Sequence, residues 1–535
     1  MALDAAPSGH RLLIKKSIDQ IQREAKGHAL KRTLGPVNLV FLGIGCTIGA
    51  GIYVMTGNAA ANFAGPAVML SFVIVGLACA FAGLCYAELA STMPVAGSAY
   101  TYAYTTLGEV FAWTMGWLLV LEYGVAAATV AAGWTGYATS LLKDLGIIVP
   151  PQYASSFIQS VAGPDGALSF VTTGSFNLVG AFGILVVTGL LVLGVSESAN
   201  VNNVIVLVKV GILLLFIGFG IFYINSDNWH PFIPENNGHF GGYGVSGVFR
   251  ATSVIFFAYV GFEAVSTAAA EAKNPQKDIP IGILGSLVIC TLIYMAVAAV
   301  LTGVVPYTKL GVPEPIAVAV DAMNLPWFAK LIKIGAIAGL SSVMLILTYG
   351  QTRVFFAMAR DGLLPKVFAT LHSKYRTPWI GTLLLGTAIA IAASMLPITI
   401  LGDLVSLGTA TAFGIVCLSV IYLRNTRPDL ERPFSVPLGG IRIGGIWLGT
   451  VPVLGIFFCL VMAAPLVIDI IIKATSGDPI PAIILVSYAA IGAVIYMVYG
   501  YKNSRLSKGL DVLDVGPGAM DIPGHTHTMG DKNDL

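Results

Sequence analysis

The sequence predicts an all-α polytopic membrane protein with twelve transmembrane helices, on three observations. Of its 535 residues 56% are hydrophobic and only 10% are charged, against roughly 25% charged in a soluble domain, and the mean hydropathy is +0.83. Apolar runs long enough for a roughly 30 Å hydrocarbon core recur at about 36–60, 66–91, 108–140, 174–195, 199–224, 246–272, 280–305, 327–358, 378–396, 400–424, 445–472 and 479–501. Lys and Arg are distributed unevenly between the two sets of loops. With the N-terminus inside, 22 of the 29 fall on the inner side and six on the outer, Lys209 being left within a span. The bias of basic residues toward the cytoplasm therefore predicts that both termini are cytoplasmic.

Taken in order, residues 1–35 form a basic arm carrying Arg11, Lys15, Lys16, Arg23, Lys26, Lys31 and Arg32. The arm has no short apolar core of the kind a cleavable signal needs. Five spans then fill 36–224, five more fill 246–424, and two further spans fill 445–501. The segment 509–535 is polar and spaced by Gly and Pro, which predicts a disordered cytoplasmic tail. A net charge of +2 gives no reason to expect nucleic acid as a partner. The six cysteines all lie in apolar spans without a C-x-x-C pair, so neither a disulfide framework nor a zinc site is indicated. All seven histidines lie outside the spans, which argues against haem ligation or a histidine proton relay. The expectation is no metal and no cofactor.

The first span is interrupted. Gly43, Gly45, Gly49 and Gly51 fall within the stretch GIGCTIGAGIYVMTG, and each costs about 1 kcal/mol relative to alanine inside a helix. Broken helix at mid-membrane depth survives only where protein buries it or where it lines a cavity. Two readings follow: Gly45-x-x-x-Gly49 as a close helix-packing motif, or a polar site in which amides at the start of a half-helix face a carboxylate. The stretch alone leaves both open. A dinucleotide loop is disfavoured, because the spacing is G-x-G-x-x-x-G and no soluble strand precedes it. The sixth span, FFAYVGFEAVSTAAAE, carries Gly261 and Glu263 near its middle. Interruptions in spans one and six predict a five-plus-five inverted repeat with the site between them.

Among ionisable residues, Lys209 lies near the centre of span five and Glu122 near the centre of span three. A charged side chain at that depth costs at least about 2.5–3.5 kcal/mol and usually faces the bundle interior. Lys209 is read as a proton-coupling group, with a structural strut tied to backbone carbonyls as the alternative. Glu122 stands equally as a carrier of a proton or substrate ammonium and as a structural acid. Glu263 is read as fixing the loop in span six by accepting from backbone amides. Glu88, Glu271, Asp278 and Asp403 lie near span ends, where solvated or gating roles are expected. Ser341 and Ser342 offer hydroxyl oxygens to a sodium ion, although serines also pack helices. The Tyr-rich connection STMPVAGSAYTYAYTTLGE after span two is read as packed against the bundle, as part of an inner gate.

These residues resemble the amino acid–polyamine–organocation superfamily, and within it the bacterial members of the cationic amino acid transporter family. The resemblance covers about 31–505 and rests on GIGCTIGAGIYV, YAELASTMPVAGSAYTYAY, FFAYVGFEAVSTAAAEAKNPQKDIP and YGQTRVFFAMARDGLLP in that order. It implies a leucine-transporter-like fold with discontinuous helices one and six, importing L-amino acids with protons. It implies that the substrate carboxylate is held by amides of Thr47, Ile48, Gly49, Ala50 and Gly51. The ammonium would be held by carbonyls around Phe256, Phe257, Ala258 and Val260. It further implies that Lys209 occupies the place of a sodium ion between spans one, five and eight, and that Glu122 matches a glutamate of the family. Leu347 would face the side-chain pocket, and an apolar wall there favours neutral amino acids over the cationic ones the family name promises. Two departures stand out: animal members have fourteen spans, and relatives often carry aspartate where this chain has Glu263.

The expected function is that of a proton-coupled L-amino acid symporter in the plasma membrane. Its expected partners are an L-amino acid, protons and the lipid bilayer, with a small membrane-protein or lipid partner left open. The alternatives are a sodium-coupled or exchange-type cationic amino acid carrier and a sensor that binds without transporting. An enzyme would need a clustered acid, base or metal set within the membrane. A channel would need a charged filter segment.

Overall fold

Residues 11–17, 33–93, 98–162, 168–194 and 199–509 are described by a computed structural model of the chain. Most of the basic arm and the expected disordered tail from 510 onward lie outside the described residues. Among those described, nine helical stretches are long and apolar enough to cross a membrane: Gly51–Thr92, Glu109–Asp144, Asn203–Tyr223, Gly244–Thr267, Pro275–Val304, Pro326–Arg360, Ile398–Thr426, Thr450–Thr475 and Ile480–Lys508. Three shorter apolar helices, Pro36–Thr47, Leu178–Val192 and Trp379–Met395, coincide with the first, fourth and ninth predicted runs. The first helix ends at Thr47, and the winding that resumes at Gly51 continues through a 3-10 turn at Gly65–Ala67 into the second apolar run.

The structure adds two elements to the all-helical expectation. Ile158–Ala162 pairs with Leu168–Thr172, and Gly440–Ile443 pairs with Ile446–Gly449, each as a two-stranded antiparallel hairpin. The second replaces the start predicted for span eleven at 445, and the helix begins instead at Thr450. The sequence GIRIGGIWLG alternates around a Gly-Gly pair, the pattern of a tight hairpin, and a hydropathy window cannot separate it from the apolar helix that follows.

The helices pack in pairs distant in sequence. Pro275–Val304 lies against both Pro36–Thr47 and Val68–Thr92, Pro326–Arg360 against Ala126–Asp144, and Trp379–Met395 against Leu178–Val192. Lipid tails are as apolar as the side chains, so close approach and interhelical hydrogen bonds hold such pairs. Gly335 lies against Ile212, and Gly83 against Ile283, in gaps that no larger side chain would fit without displacing its neighbour. Large apolar side chains such as Val204, Leu207, Leu292, Phe457 and Val486 are exposed on the outside of the helices, as lipid-facing residues must be.

Buried ion pairs tie the two ends of the bundle. At one end, Lys15 Nζ donates to the Tyr422 hydroxyl at 2.7 Å and Lys16 Nζ to Asp361 at 2.7 Å, so the first described segment shares a side with the ends of Ile398–Thr426 and Pro326–Arg360. Glu88, expected in a solvated or gating role, is buried there: Arg424 Nε donates to it at 2.8 Å and the Val436 amide at 2.7 Å. At the opposite end, buried Lys333 donates to Asp144 at 2.7 Å and to Asp321 at 2.9 Å. Removing one member of a buried pair strands the other without a partner, at a cost of about 3–5 kcal/mol. Glu88→Ala is therefore expected to lower the thermal unfolding midpoint of the purified protein while leaving substrate affinity unchanged. An unshifted midpoint would show that the pair with Arg424 carries no stability.

Candidate functional site

The site forms where two interrupted helices cross. Pro36–Thr47 ends with Ile48 extended at φ −73°, ψ 99°. Gly244–Ile255 passes through a 3-10 turn at Phe256–Tyr259 to Val260 at φ −57°, ψ 131° and Gly261 at φ +114°, and helix resumes at Ala264. The two interruptions touch. A Cβ on Gly51 would lie 2.1 Å from the Ala258 Cα, and one on Gly261 would lie 2.6 Å from the Cys46 carbonyl oxygen. Glycine is required at 51 for this approach, and at 261 for the approach and the positive φ together. The two readings of the glycine stretch thus meet: the residues that let the helices pack also open the backbone.

A small cavity lies at the crossing. It is lined by Cys46, Thr47, Gly49, Ala50 and Gly51 of the first interruption and by Phe257 and Val260 of the second. Ala126 and Val130 form one further wall, and Val343 and Leu347 the other. The first amides of the winding that restarts after Ile48 have no acceptor within their own helix, and they border this cavity. No lining side chain is ionisable except the Cys46 thiol, so a charged group entering the cavity meets backbone dipoles and a threonine hydroxyl, which itself donates to the Gly43 carbonyl at 2.7 Å.

Of the residues singled out in the sequence, Thr47, Gly49, Ala50, Gly51, Phe257, Val260 and Leu347 come together on this lining. Ile48, Phe256 and Ala258 lie off it. The Ile48 carbonyl turns to Lys209, the Phe256 ring packs edge-on against Phe413, and the Ala258 carbonyl accepts from Tyr294.

Lys209, on helix Ala199–Gly220, is fully buried, and its ammonium donates to the Gly45 carbonyl at 2.8 Å and the Ile48 carbonyl at 3.3 Å. Its aliphatic stem passes over Gly339 of Pro326–Arg360. The ammonium therefore engages the carbonyls that the broken helix leaves over, in the angle between three helices. Hydrogen bonds to a charged donor are roughly twice as strong as neutral ones.

Glu122 lies in a π-helical turn, Val120–Val125, a distortion often found at functional positions. Among the described residues no amide, hydroxyl or ammonium donates to its carboxyl, which lies within hydrogen-bonding reach of the Glu263 carboxyl. Glu263 accepts from the Gly261 amide at 2.8 Å, the loop-fixing contact expected of it. Glu122 stands one turn from the cavity wall at Ala126. Gln351, buried and without a partner among the described residues, stands one turn beyond Leu347 on the facing helix. The apolar cavity thus has a polar floor.

Sequence reasoning missed Tyr294, Arg250 and the walls at Ala126, Val130 and Val343. The Tyr294 hydroxyl lies 2.9 Å from the Thr47 carbonyl and 3.0 Å from the Ala258 carbonyl, bridging both interruptions by donating to one at a time. Nothing but a tyrosine amid apolar residues marks it in the sequence. Arg250, counted among the outer charges, is buried and grips Asp403 at 3.1 and 2.7 Å and Asp469 at 3.1 Å. A second small cavity, lined in part by Asn58, Phe63 and Val254, abuts it about two turns along the same two helices. The Tyr-rich connection forms helix Ser98–Thr106, with Tyr100, Tyr102 and Tyr104 buried and Tyr100 donating to Asp361 at 2.7 Å. Ser341, a candidate sodium ligand, accepts from Trp134 Nε1 at 3.0 Å.

A helical bundle with a backbone-lined chamber at crossed helix interruptions defines a membrane carrier rather than a soluble binding module. Residues 34–489 match the amino acid permease family, and the chain belongs to that family. It is 41% identical to a methylthioribose transporter of Bacillus subtilis (strain 168), covering 93% of this chain and 99% of that one. It is also 41% identical to the branched-chain amino acid permease BcaP of the same organism, covering 92% and 98%. A vacuolar cationic amino acid transporter 2 of Arabidopsis thaliana is 36% identical over 80% of this chain and 65% of its own length. These relatives are named as permeases and transporters, not enzymes.

The geometry separates two of the glycines. A Cβ on Gly49 would meet only Val343 methyls, at 3.1 and 3.3 Å, whereas one on Gly51 meets backbone. Overpacking that side chains can absorb costs about 1–3 kcal/mol; backbone cannot absorb it locally. Gly49→Ala is expected to weaken substrate binding by roughly five- to a hundredfold, and Gly51→Ala to abolish it, measured by ligand-induced thermal shift. Equal effects would mean that the crossing is looser than described.

Proposed function

We propose that the protein is a proton-coupled symporter of neutral L-amino acids with aliphatic side chains, working by alternating access in the plasma membrane with both termini cytoplasmic. The reading places twelve crossings in a five-plus-five inverted repeat at 36–224 and 246–424, with 445–501 outside it. The substrate carboxylate sits on amides at Gly49, Ala50 and Gly51, since the Ile48 amide, also expected to take part, donates to the Ile44 carbonyl at 2.9 Å, and its ammonium sits on carbonyls near Phe256–Val260. The single observation that carries the reading is that the cavity is lined by both interrupted helices while a buried ammonium binds the first of them.

Each physical step follows from that arrangement. A carboxylate is favoured at unpaired amides of a helix start. An aliphatic side chain is favoured against Ala126, Val130, Val343 and Leu347, and a cationic one would lose its hydration without a carboxylate on the lining. Protonated Lys209 holds the carbonyls of Gly45 and Ile48. Loss of its proton removes two charge-assisted bonds from the first helix and frees it to change its angle in the bundle. Glu122 is the second proton-coupling group, one turn below the cavity. An ammonium already seated among three helices opposes a sodium ion there.

The branched-chain permease among the relatives supports an amino acid substrate. A second reading rests on the equally similar methylthioribose transporter, whose named substrate has no carboxylate to place on the amides. Uptake of labelled leucine into proteoliposomes is expected to be competed by isoleucine, valine and alanine, and not by lysine, arginine or methylthioribose. Competition by methylthioribose alone would favour the second reading, and competition by lysine and arginine a cationic carrier. Lys209→Ala is expected to abolish uptake driven by a pH gradient while retaining leucine binding. Undiminished proton-driven uptake by the variant, or uptake by the parent driven by sodium without a pH gradient, would overturn the coupling mechanism.

A further inference from the structure

The hairpin 440–449 presents one face to the protein and leaves the other uncovered. It joins the helix that ends at Thr426 to the one that begins at Thr450, immediately after its second strand. Its register pairs Ile441 with Leu448, Arg442 with Trp447 and Ile443 with Ile446. Side chains alternate between faces along a strand, so Arg442 and Trp447 share one face and the four aliphatic residues share the other.

The Trp447 face is fastened down. Asn425 binds both main-chain groups of Trp447, accepting from its amide at 2.7 Å and donating to its carbonyl at 2.9 Å. The Arg424 guanidinium lies 4.4 Å from the indole ring centre, within cation–π range. Gly444 and Gly445, at φ +59° and +85°, close the turn tightly. The hairpin is thus held in one orientation at the end of a membrane helix, with its aliphatic face directed away from the bundle. Ile441, Ile443 and Ile446 are 64%, 59% and 55% exposed, and Leu438 at the entry is 69% exposed.

We propose that this face lies in the headgroup–acyl boundary of the bilayer, in the leaflet on the side of residues 11–17, and anchors the connection between the two helices there. Two observations favour lipid as the occupant. The exposed surface is continuous along the chain with lipid-facing Val453, Phe457 and Leu460, which begin within one turn of the hairpin. Exposed Arg442 stands between Ile441 and Ile443 on the opposite face of the same strand, so the hairpin joins a basic residue to an apolar face, the combination that suits an interface with anionic headgroups. A tryptophan at the base is the usual marker of that depth.

The test uses the whole protein in nanodiscs containing phosphatidylglycerol. All six native cysteines are buried, so spin labels go selectively to Ile441→Cys, Arg442→Cys or Ile443→Cys, each at an exposed position. Labels at 441 and 443 are expected to be relaxed by oxygen, which concentrates in lipid, and the label at 442 by a water-soluble nickel chelate. This alternation is a readout that a merely structural hairpin would not produce. Preferential relaxation of all three labels by nickel would overturn the proposal. So would shielding of 441 and 443 from both reagents with dipolar broadening between labels, which would make the face a contact with a second copy of the chain.

Discussion

Peptide groups released from a helix in hydrocarbon must find partners inside the protein, and each one left unpaired costs several kcal/mol. The arrangement around residues 45–51 and 256–261 answers that constraint from several directions. The Lys209 ammonium takes the carbonyls of Gly45 and Ile48. The Tyr294 hydroxyl serves Thr47 and Ala258, and Glu263 takes the Gly261 amide. Two other helices and the second interruption itself thus supply side chains to hold open a backbone that no regular winding would leave open. The amides at the restart of the first helix border the cavity, and on the reading proposed above the substrate completes them.

The same logic explains which side chains are ionisable and where. A lysine, a glutamate and a glutamine lie within one or two turns of an otherwise apolar chamber; the lysine satisfies freed backbone and the glutamate faces the Glu263 carboxyl. Arg250 binds Asp403 and Asp469 toward one end of the bundle, while Asp361 binds Lys16 and Tyr100 toward the other. A carrier that alternates between sides needs contacts at each end that are strong when made and surrounded by groups able to solvate them when broken. Charge-assisted pairs at the limits of the apolar core have that property. Span eleven, outside the proposed repeat, contributes Asp469 to the first of these clusters.

Much of this was legible in the sequence. Glycines at 43, 45, 49 and 51 pointed to either close packing or an interruption in the first span, and Gly261 with Glu263 in the sixth span favoured the interruption. Lys209 stands out because charge in the middle of an apolar run has few explanations. What stayed hidden depends on contacts between distant parts of the chain. Tyr294 looks like any aromatic residue in a membrane helix until the fold sets it between two carbonyls. Arg250 reads as an outer basic residue until Asp403 and Asp469 are brought to it from more than 150 positions away. The hairpin 440–449 was absorbed into span eleven because its isoleucines have the hydropathy of a helix, although its Gly-Gly turn was available as a signal.

The central claim is that amides at the first interruption receive an acid group, and a structure of the protein with bound L-leucine at a resolution that defines the ligand tests it most directly. The carboxylate is expected within ~3 Å of amides between Gly49 and Gly51, with the side chain against Val343 and Leu347. Leucine seated elsewhere, or turned so that its ammonium faces those amides, would contradict it.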